Sequence, residues 1–351
     1  MKASYQKHIL EFKRPSGTSR GVLKTKETWF LMLYREGKWG IGECGILRGL
    51  SIDDRPDYEE KLAWICKNKH LDRETLMEEL KEFPSIQIGL ETAFLSLESK
   101  TNPYEIFPSK FSKSEEAIDI NGLIWMGEEA FMKEQIDNKL KEGFYCIKMK
   151  IGAIDFDTEI KLLQAIRKNY SAKEIELRVD ANGAFTPQEA MGKLEQLARL
   201  DLHSIEQPIQ QGQWQEMARL CEETPLPIAL DEDLIGVVDQ EKQKELIETI
   251  NPQYIILKPS LVGGFSGSDH WIHLAEKSNV DWWITSALES NIGLNAIAQY
   301  TYTKNSPLPQ GLGTGSLYTN NIPSPLEVKD GKLHYAKSED WKLDGIIESI
   351  K

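Results

Sequence analysis

The sequence predicts an α/β chain in which a closed parallel βα barrel follows a smaller α+β unit, and three observations carry that reading. The chain has 351 residues, more than one minimal domain and too few for three, since domains usually run about 100 to 200 residues and barrels reach about 250. From about residue 118 one unit repeats: a short β-rich run, a few turn residues, then a helix of about 10 to 16 residues. Ionisable residues recur near the ends of successive runs at close to the same interval. Hydrophobic residues make up 40% and charged residues 28%, an ordinary globular balance that excludes wholesale disorder.

The elements follow in order. Between Ser4 and about Gly45 the pattern alternates through WFLMLY, REGKWG and IGEC, which predicts two strands joined by a tight turn at Glu36 and Gly37. Between about Asp54 and Ser99 apolar residues fall three and four apart, at Leu62, Ile65 and Cys66 and again at Leu76, Leu80 and Phe83, the spacing of helices. Residues 1–110 therefore read as an α+β unit. After the polar stretch PSKFSKSEEA come eight runs: IDINGLIW, YCIKMKI, IELRVDA, LHSIEQP, PIALDED, YIILKPS, DWWITSA and a weaker PQGLGTG. Segments between them are amphipathic helices, as in WQEMARLCEE, where Trp214, Met217, Ala218 and Cys221 share a face. Eight strands alternating with about seven helices is the pattern of a closed parallel barrel. An open doubly wound sheet would show fewer strands and a glycine-rich phosphate loop after the first, and no such loop occurs. Residues 111–319 are thus expected to form the barrel, and 320–351 to pack back on the N-terminal unit.

Lys and Arg number 42 against 55 Asp and Glu, a net charge of −13, which repels phosphate backbones and anionic headgroups. Nucleic acid and membrane are therefore not expected partners; a small-molecule carboxylate is, and a homo-oligomer is compatible with the sequence. Cys44, Cys66, Cys146 and Cys221 are scattered without a C-x-x-C spacing and read as reduced thiols. The start, MKASYQKHILEFKRPSG, lacks the apolar stretch of a signal peptide, so a cytoplasmic location is expected.

Barrel active sites form where strands run out into βα loops. There the sequence places Lys148 and Lys150, then Asp180, Glu206, Asp231 and Lys258 on consecutive runs, at steps of 30, 26, 25 and 27 residues from Lys150. Each step is about one βα unit, so these side chains share one rim. A single acid at a strand end is commonly a helix cap. Three in register repel one another and form an oxygen-rich cluster suited to a hard divalent cation such as Mg2+. Lys148 and Lys150, two apart on a strand, point to one face, and Lys258 approaches from across the mouth. Repulsion and desolvation favour the neutral amine and would lower a lysine pKa towards proton abstraction; the alternative is that the lysines simply pair with the acids. A cation facing two lysines suits removal of a proton next to a carboxylate, with the metal stabilising the enediolate.

On KMK (Lys148 to Lys150), RVDANG, IEQP, ALDED, LKPS, TSALESNIGL (Thr285 to Leu294) and GLGTGSLY (Gly311 to Tyr318), the chain resembles the enolase superfamily, in its muconate-lactonising-like branch, and within it the o-succinylbenzoate synthase family of menaquinone biosynthesis. TKETWFLMLY and GIGECGILRGLS extend the resemblance towards the N-terminus. It implies a modified (β/α)7β TIM-like barrel with an α+β capping domain, residues 1–110 completed by 320–351. It also implies Asp180, Glu206 and Asp231 as ligands of Mg2+ (or Mn2+), with Asn182 behind them; Asp233, two residues past Asp231, could share its face. The implied reaction is syn dehydration of 2-succinyl-6-hydroxy-2,4-cyclohexadiene-1-carboxylate to 2-succinylbenzoate, a hydro-lyase step. Lys150 would act as base and then as acid, Lys258 would hold its charge over the developing ring, and Lys148 would support base and carboxylate. Ser286, Gly311 and Gly313 would shape the pocket for the succinyl arm, and Thr18 to Lys24 resembles a mobile loop that closes over it.

The same lysines can run racemisation, so N-acylamino acid racemase and dipeptide epimerase are the alternatives. Dipeptide epimerases usually carry a D-x-D where this chain reads GLGTGS, and muconate lactonisation fits TSALES and GLGTG less well. A non-catalytic metal-binding barrel is the alternative from another class, and the three lysines speak against it. Glu289, after the seventh run, reads equally as a site residue or a helix cap. His203, His270, His273, Trp282 and Trp283 read as packing or surface residues.

Overall fold

The polar N-terminus pairs because every second residue can be buried against a partner strand. The computed structural model describes residues 1–18, 21–337 and 339–343. Its first elements are β1 (Lys2–Thr18), β2 (Gly21–Arg35) and β3 (Lys38–Gly45), an antiparallel sheet in the order β1-β2-β3. The two expected strands are β2 and β3, joined through Glu36 (φ 54°) and Gly37 (φ 81°), the left-handed pair that a two-residue hairpin requires. β1 is an additional strand, masked in the sequence by its polar outer face. Its free edge is covered late in the chain, where Thr319 donates from its backbone to Glu11 O at 2.9 Å and Asn320 exchanges hydrogen bonds with Ile9 and Glu11. Covering an edge prevents pairing with other chains.

Helices α1 (Tyr58–Lys67), α2 (Arg73–Glu78) and α3 (Pro84–Glu98) cover the sheet. Trp29, Leu31 and Leu33 pack against Leu62, Ile65, Leu76, Leu80 and Phe83, the residues whose helical spacing the sequence displays. α3 lies unusually close to β3, because a Cβ at Gly42 would overlap the backbone of Gly89.

The βα repeat then unfolds as predicted, with one shift at each end. The first run divides. Ile118–Asp119 (β4) pairs antiparallel with a late hairpin, β12 (Leu326–Lys329) and β13 (Lys332–Tyr335), while Gly122–Ile124 (β5) begins the parallel ladder. There follow α4 (Glu129–Lys141), β6 (Cys146–Lys150), α5 (Phe156–Asn169), β7 (Glu176–Asp180), α6 (Pro187–Ala198), β8 (Ser204–Glu206), α7 (Trp214–Glu223), β9 (Ile228–Leu230), α8 (Gln240–Ile250), β10 (Tyr254–Leu257), α9 (Gly264–Lys277), β11 (Asp281–Ile284) and α10 (Asn291–Thr303). β5 to β11 form one parallel sheet in chain order, curled so that its two edges meet at the eighth run. That run contributes only bridges at Gln310 and Gly311: Gly311 N donates to Ile284 O at 2.8 Å on one side, and Asn121 N donates to Gln310 O at 3.0 Å on the other. Pro307 and Pro309 lack the N–H that a longer ladder needs.

Alternation along each strand sends Ile147, Met149, Leu177, Val179 and Ile205 out into the core beneath the helices, and their neighbours Lys148, Lys150, Arg178, Asp180 and Glu206 into the barrel. The floor is apolar, Ala229, Ile256 and Trp283, with the Arg178 guanidinium 4.2 Å over the Trp283 ring. Cys44, Cys66, Cys146 and Cys221 are all free thiols. Among the described residues no helix is long and apolar enough to cross a membrane.

Two outcomes follow from this packing. Asp53 is fully buried and accepts from Ser85 N at 2.9 Å and Ser85 Oγ at 2.6 Å, yet burial pushes its pKa up to about 6. A carboxyl held above its unfolded value binds its proton more tightly when folded. Its contribution is therefore greatest in acid and is lost as the pH rises through about 6, a change of about 3 kcal/mol. Asp53→Asn should gain thermal stability on the wild type between about pH 4 and about pH 7; a constant difference would refute this. At Gly311 a Cβ would overlap Thr285 Oγ1 and stand 2.5 Å from Thr285 Cβ, whereas at Gly313 the nearest atom is 3.5 Å away. Denaturant midpoints should show Gly311→Ala costing about 1–3 kcal/mol and Gly313→Ala under about 0.5 kcal/mol.

Candidate active site

Register between neighbouring parallel strands builds the site. Lys150 lies opposite Asp180 across β6 and β7, and Asp180 opposite Glu206 across β7 and β8. Asp231 follows β9 directly, at the start of a 3-10 turn over Glu232–Leu234, and Lys258 follows β10. The structure thus brings together Lys148, Lys150, Asp180, Glu206, Asp231 and Lys258 at one end of the barrel. Asp180, Glu206 and Asp231 are each 2% exposed or less, and the lysines stand above them.

Each carboxylate meets a lysine. Lys148 Nζ and Lys150 Nζ both lie 3.0 Å from Asp180 Oδ2, and Lys148 also bridges Glu206. Lys258 bridges Asp231. Lys150 donates in addition to Asn182 Oδ1 at 2.7 Å, while Asn182 Nδ2 donates to Glu232 Oε1 at 3.0 Å. Asn182 holds this position with a left-handed backbone, φ 44°, which Asn tolerates better than most residues.

Electrostatics follow from burial and from these pairs. Burial alone would lower Lys148 and Lys258, but Asp180 and Glu206 around the first and Asp231 and Glu206 around the second outweigh it, so both amines are held above the ordinary lysine value. Pairing with the acids, the alternative reading of the lysines, describes Lys148 and Lys258. Burial would also raise Asp180, yet Lys148, Lys150 and Lys258 hold it below the usual carboxylate range. Glu206 goes the other way, pushed well up by burial and then by the charge of Asp180.

The residues present fit a divalent cation in their chemistry. Glu206 Oε1 is buried with no hydrogen-bond partner, an acceptor left over beside two more buried carboxylates, which is the hard-oxygen donor set of Mg2+. Among the described residues, no group of three His, Cys, Asp or Glu stands at the spacing of a ready-made ion cage; lysine ammonium groups lie between the acids instead.

Asp233 does not share the face of Asp231. Its carboxylate turns away to accept from Gln207 Nε2 and Gly212 N, both at 2.7 Å, because the 3-10 turn rotates successive side chains and Gln207 Oε1 also gathers the N–H groups of Asp231 and Asp233. Glu232 faces the site in its place, a residue the sequence reading missed. Only the turn geometry after β9 distinguishes the three acids of LDED.

Above the charges opens a cavity of about 650 Å3, in the range of small-molecule sites. Ser286, Gly311 and Gly313 line it, as expected, together with Trp283, Thr314 and Leu317. Ser286 Oγ and Thr314 Oγ1 lie 2.7 Å apart. The cap supplies the opposite wall through Leu23, Leu47, Arg48 and Leu50, and Arg48 is steadied by Glu27 and Asp54 at 2.6 and 2.5 Å. Of the loop read as Thr18 to Lys24, Ser19 and Arg20 lie outside the described residues; so do residue 338 and residues 344–351 of the tail. Glu289 stays out of the cavity and is bound by Ser260 and Ala287.

Comparison with known proteins agrees with this geometry. The profile of the enolase C-terminal domain-like family matches residues 131–338. An o-succinylbenzoate synthase of Desulfotalea psychrophila is 46% identical, over 95% of this chain and 98% of that protein. A crystal structure of MenC from the same organism superposes with a TM-score of 0.84 at 44% identity, covering 95% of this chain and 99% of that one. An N-succinylamino acid racemase of Thermus thermophilus is 28% identical over 90% of this chain and 86% of its own length. Matched by the family profile across its barrel and by a lyase along nearly its whole length, the chain belongs to the enolase superfamily and, within it, to the o-succinylbenzoate synthases.

Proposed function

We propose that the protein dehydrates 2-succinyl-6-hydroxy-2,4-cyclohexadiene-1-carboxylate to 2-succinylbenzoate and water, a step of menaquinone biosynthesis carried out in the cytoplasm. The family assignment supports the reaction, and one observation carries it at the level of residues. Lys150 and Lys258, from β6 and from the end of β10, line the same cavity, with a bed of buried carboxylates behind them.

The superfamily is metal-dependent, and Asp180, Glu206 and Asp231 are the residues we assign to hold the ion, Mg2+ or in its place Mn2+. When bound, it would supply positive charge for the substrate carboxylate and for the negative charge that develops there. Lys150 Nζ, freed from Asp180, takes the α-proton as a neutral amine. The electrons of that C–H bond enter the ring as the C–O bond breaks on the same face, and the Lys150 ammonium returns the proton to the departing hydroxyl as water. Lys258 keeps its charge towards the ring as it becomes aromatic. Lys148, two residues away on the same strand, supports the base and the substrate carboxylate, and Asn182 orients Lys150 through the 2.7 Å hydrogen bond. Ser286, Gly311 and Gly313 would give the succinyl arm its place.

We assign residues 1–110 to the cap, completed from the tail by Ile322, Trp341 and Leu343, and 111–319 to the barrel, whose β4 carries the hairpin of β12 and β13. The cavity wall from Gly311 to Leu317 carries no acid, which disfavours a substrate with a free ammonium group. Racemisation of an N-succinylamino acid remains a second reading, favoured by the racemase relative and by lysines on two sides of the cavity.

Stripping divalent metal should abolish dehydration, and Mg2+ should restore it. The same addition should raise the melting temperature of the wild type but not of Glu206→Gln, a readout independent of turnover. Absence of dehydration in either state, with racemisation of an N-acylamino acid or epimerisation of a dipeptide in its place, would overturn the synthase reading. Lys150→Ala and Lys258→Ala should each lower kcat by about 1,000-fold or more with native circular dichroism; near-normal turnover in either variant would refute its assigned role.

A further inference from the structure

The proposed substrate carries two carboxylates, one on the ring and one at the end of the succinyl arm, and the charges at the strand ends answer only the first. A carboxylate drawn into a cavity has to exchange its water for opposite charge or hydrogen-bond donors. Among the described residues, the cationic side chains that line the cavity are Arg48, Lys139, Lys148, Lys150 and Lys258. Lys148, Lys150 and Lys258 are held over Asp180, Glu206 and Asp231. Lys139, on α4, is paired with Glu142 at 2.5 Å and lies 4.7 Å over the Phe144 ring; its stem is packed on β5, where a Cβ at Gly122 would stand 2.9 Å from Lys139 Cδ. Arg48 is the cation that the cap brings to the cavity.

Its neighbours lock the turn on which Arg48 stands. Leu47 N donates to Ser51 Oγ at 2.8 Å, Ser51 N donates to Leu47 O at 2.9 Å, and Gly49, left-handed at φ 74°, gives its N–H to Asp54 Oδ2 at 2.8 Å. Two carboxylates then hold the guanidinium. Nε donates to Glu27 Oε2 at 2.6 Å, Nη2 lies 2.5 Å from the same oxygen, and Nη1 donates to Asp54 Oδ1 at 2.5 Å. Glu27 is shared with Lys7, also at 2.5 Å, so one of the two acids answers a second cation. A guanidinium has five N–H groups; these contacts use one on each nitrogen and leave one on Nη1 and one on Nη2 for a further acceptor. The side chain is 52% exposed, and Leu47 and Leu50 line the cavity beside it.

We propose that Arg48 is the specificity-determining residue for the succinyl arm: its guanidinium receives the arm's terminal carboxylate, with Leu47 and Leu50 against the methylene groups. This rests on the dehydration reading and deepens it, since it names the second anion the site takes. Glu27 and Asp54 fix the direction of the guanidinium and temper its charge, so the gain is smaller than for a buried, unshared pair. An N-succinylamino acid, the substrate of the second reading, ends in the same group and would meet Arg48 in the same way.

The test is calorimetric binding, with Mg2+ present, of 2-succinylbenzoate and of the amide made at the end of its arm, which keeps the shape and loses the terminal charge. The wild type should bind the acid about tenfold or more tighter than the amide. Arg48→Met should bind the two within about twofold of each other, its affinity for the amide staying within about threefold of the wild type. Arg48→Lys, which keeps the charge without the planar fork, should fall between them. In turnover, Arg48→Met should raise KM by about tenfold with kcat within about threefold of the wild type. A wild type that binds acid and amide alike would overturn the proposal with no variant needed, so a variant that fails to fold does not shield it. An Arg48→Met protein that keeps the preference would also overturn it, and so would one that loses acid and amide by the same factor, the mark of a loosened cap. Preference for the acid without dehydration of the cyclohexadiene would sink the reaction reading and leave Arg48 its role. If neither ligand binds, the dehydration reading fails, and the same comparison on an N-succinylamino acid and its arm amide decides Arg48, equal binding overturning it.

Discussion

Asp180, Glu206 and Asp231 end three neighbouring strands of a parallel sheet, and at 2% exposure or less they cannot all remain ionised unless positive charge is held against them. Parallel register makes this unavoidable, since it sets Asp180 beside Glu206 directly across the ladder. Lys148, Lys150 and Lys258 supply the balance. The same balance holds the Lys148 and Lys258 amines above the ordinary lysine value.

The cap is tied to that arrangement by carboxylates of its own. Glu43 sits on the N-terminus of α10, accepting from Ser290 and Gly293, and Glu91 from α3 sits on the N-terminus of α9, accepting from Phe265 N at 2.6 Å and Ser266 N at 3.2 Å. Free N–H groups and the helix dipole favour a negative charge at both places. Because α9 and α10 follow the strands that end at Lys258 and Thr285, the cap is clamped to the elements that carry the catalytic side of the cavity. Leu23, Leu47, Arg48 and Leu50 arrive above the lysines as a result.

Much of the barrel was legible because its signals are local. A charged residue recurring every βα unit needs only strand parity and repeat length to be placed on one rim, and Asp180, Glu206 and Lys258 were placed so. The helices of the cap showed equally in the spacing of Leu62, Ile65, Leu76 and Leu80. Where the signal was not local, the reading stopped short. β1 hides its pairing behind a polar face, and the eighth strand shrinks to two bridges because Pro307 and Pro309 come just before it. The three acids of LDED could not be told apart until the 3-10 turn sent Asp233 to Gln207 and brought Glu232 to Asn182.

By itself, then, the sequence determined the alternation of strands and helices, the parity that turns Lys148 and Lys150 inward, and the order in which ionisable residues pass around the rim. These depend on near neighbours and on the two-residue and 3.6-residue periods of the backbone. Tertiary structure alone decided which acid is left with an unpaired oxygen, which lysine meets which carboxylate, and how the cap engages the barrel. Glu43 and Ser290 are 247 residues apart in the chain; no periodicity joins them, and only the closed barrel with its cap in place brings that carboxylate to the helix end it holds.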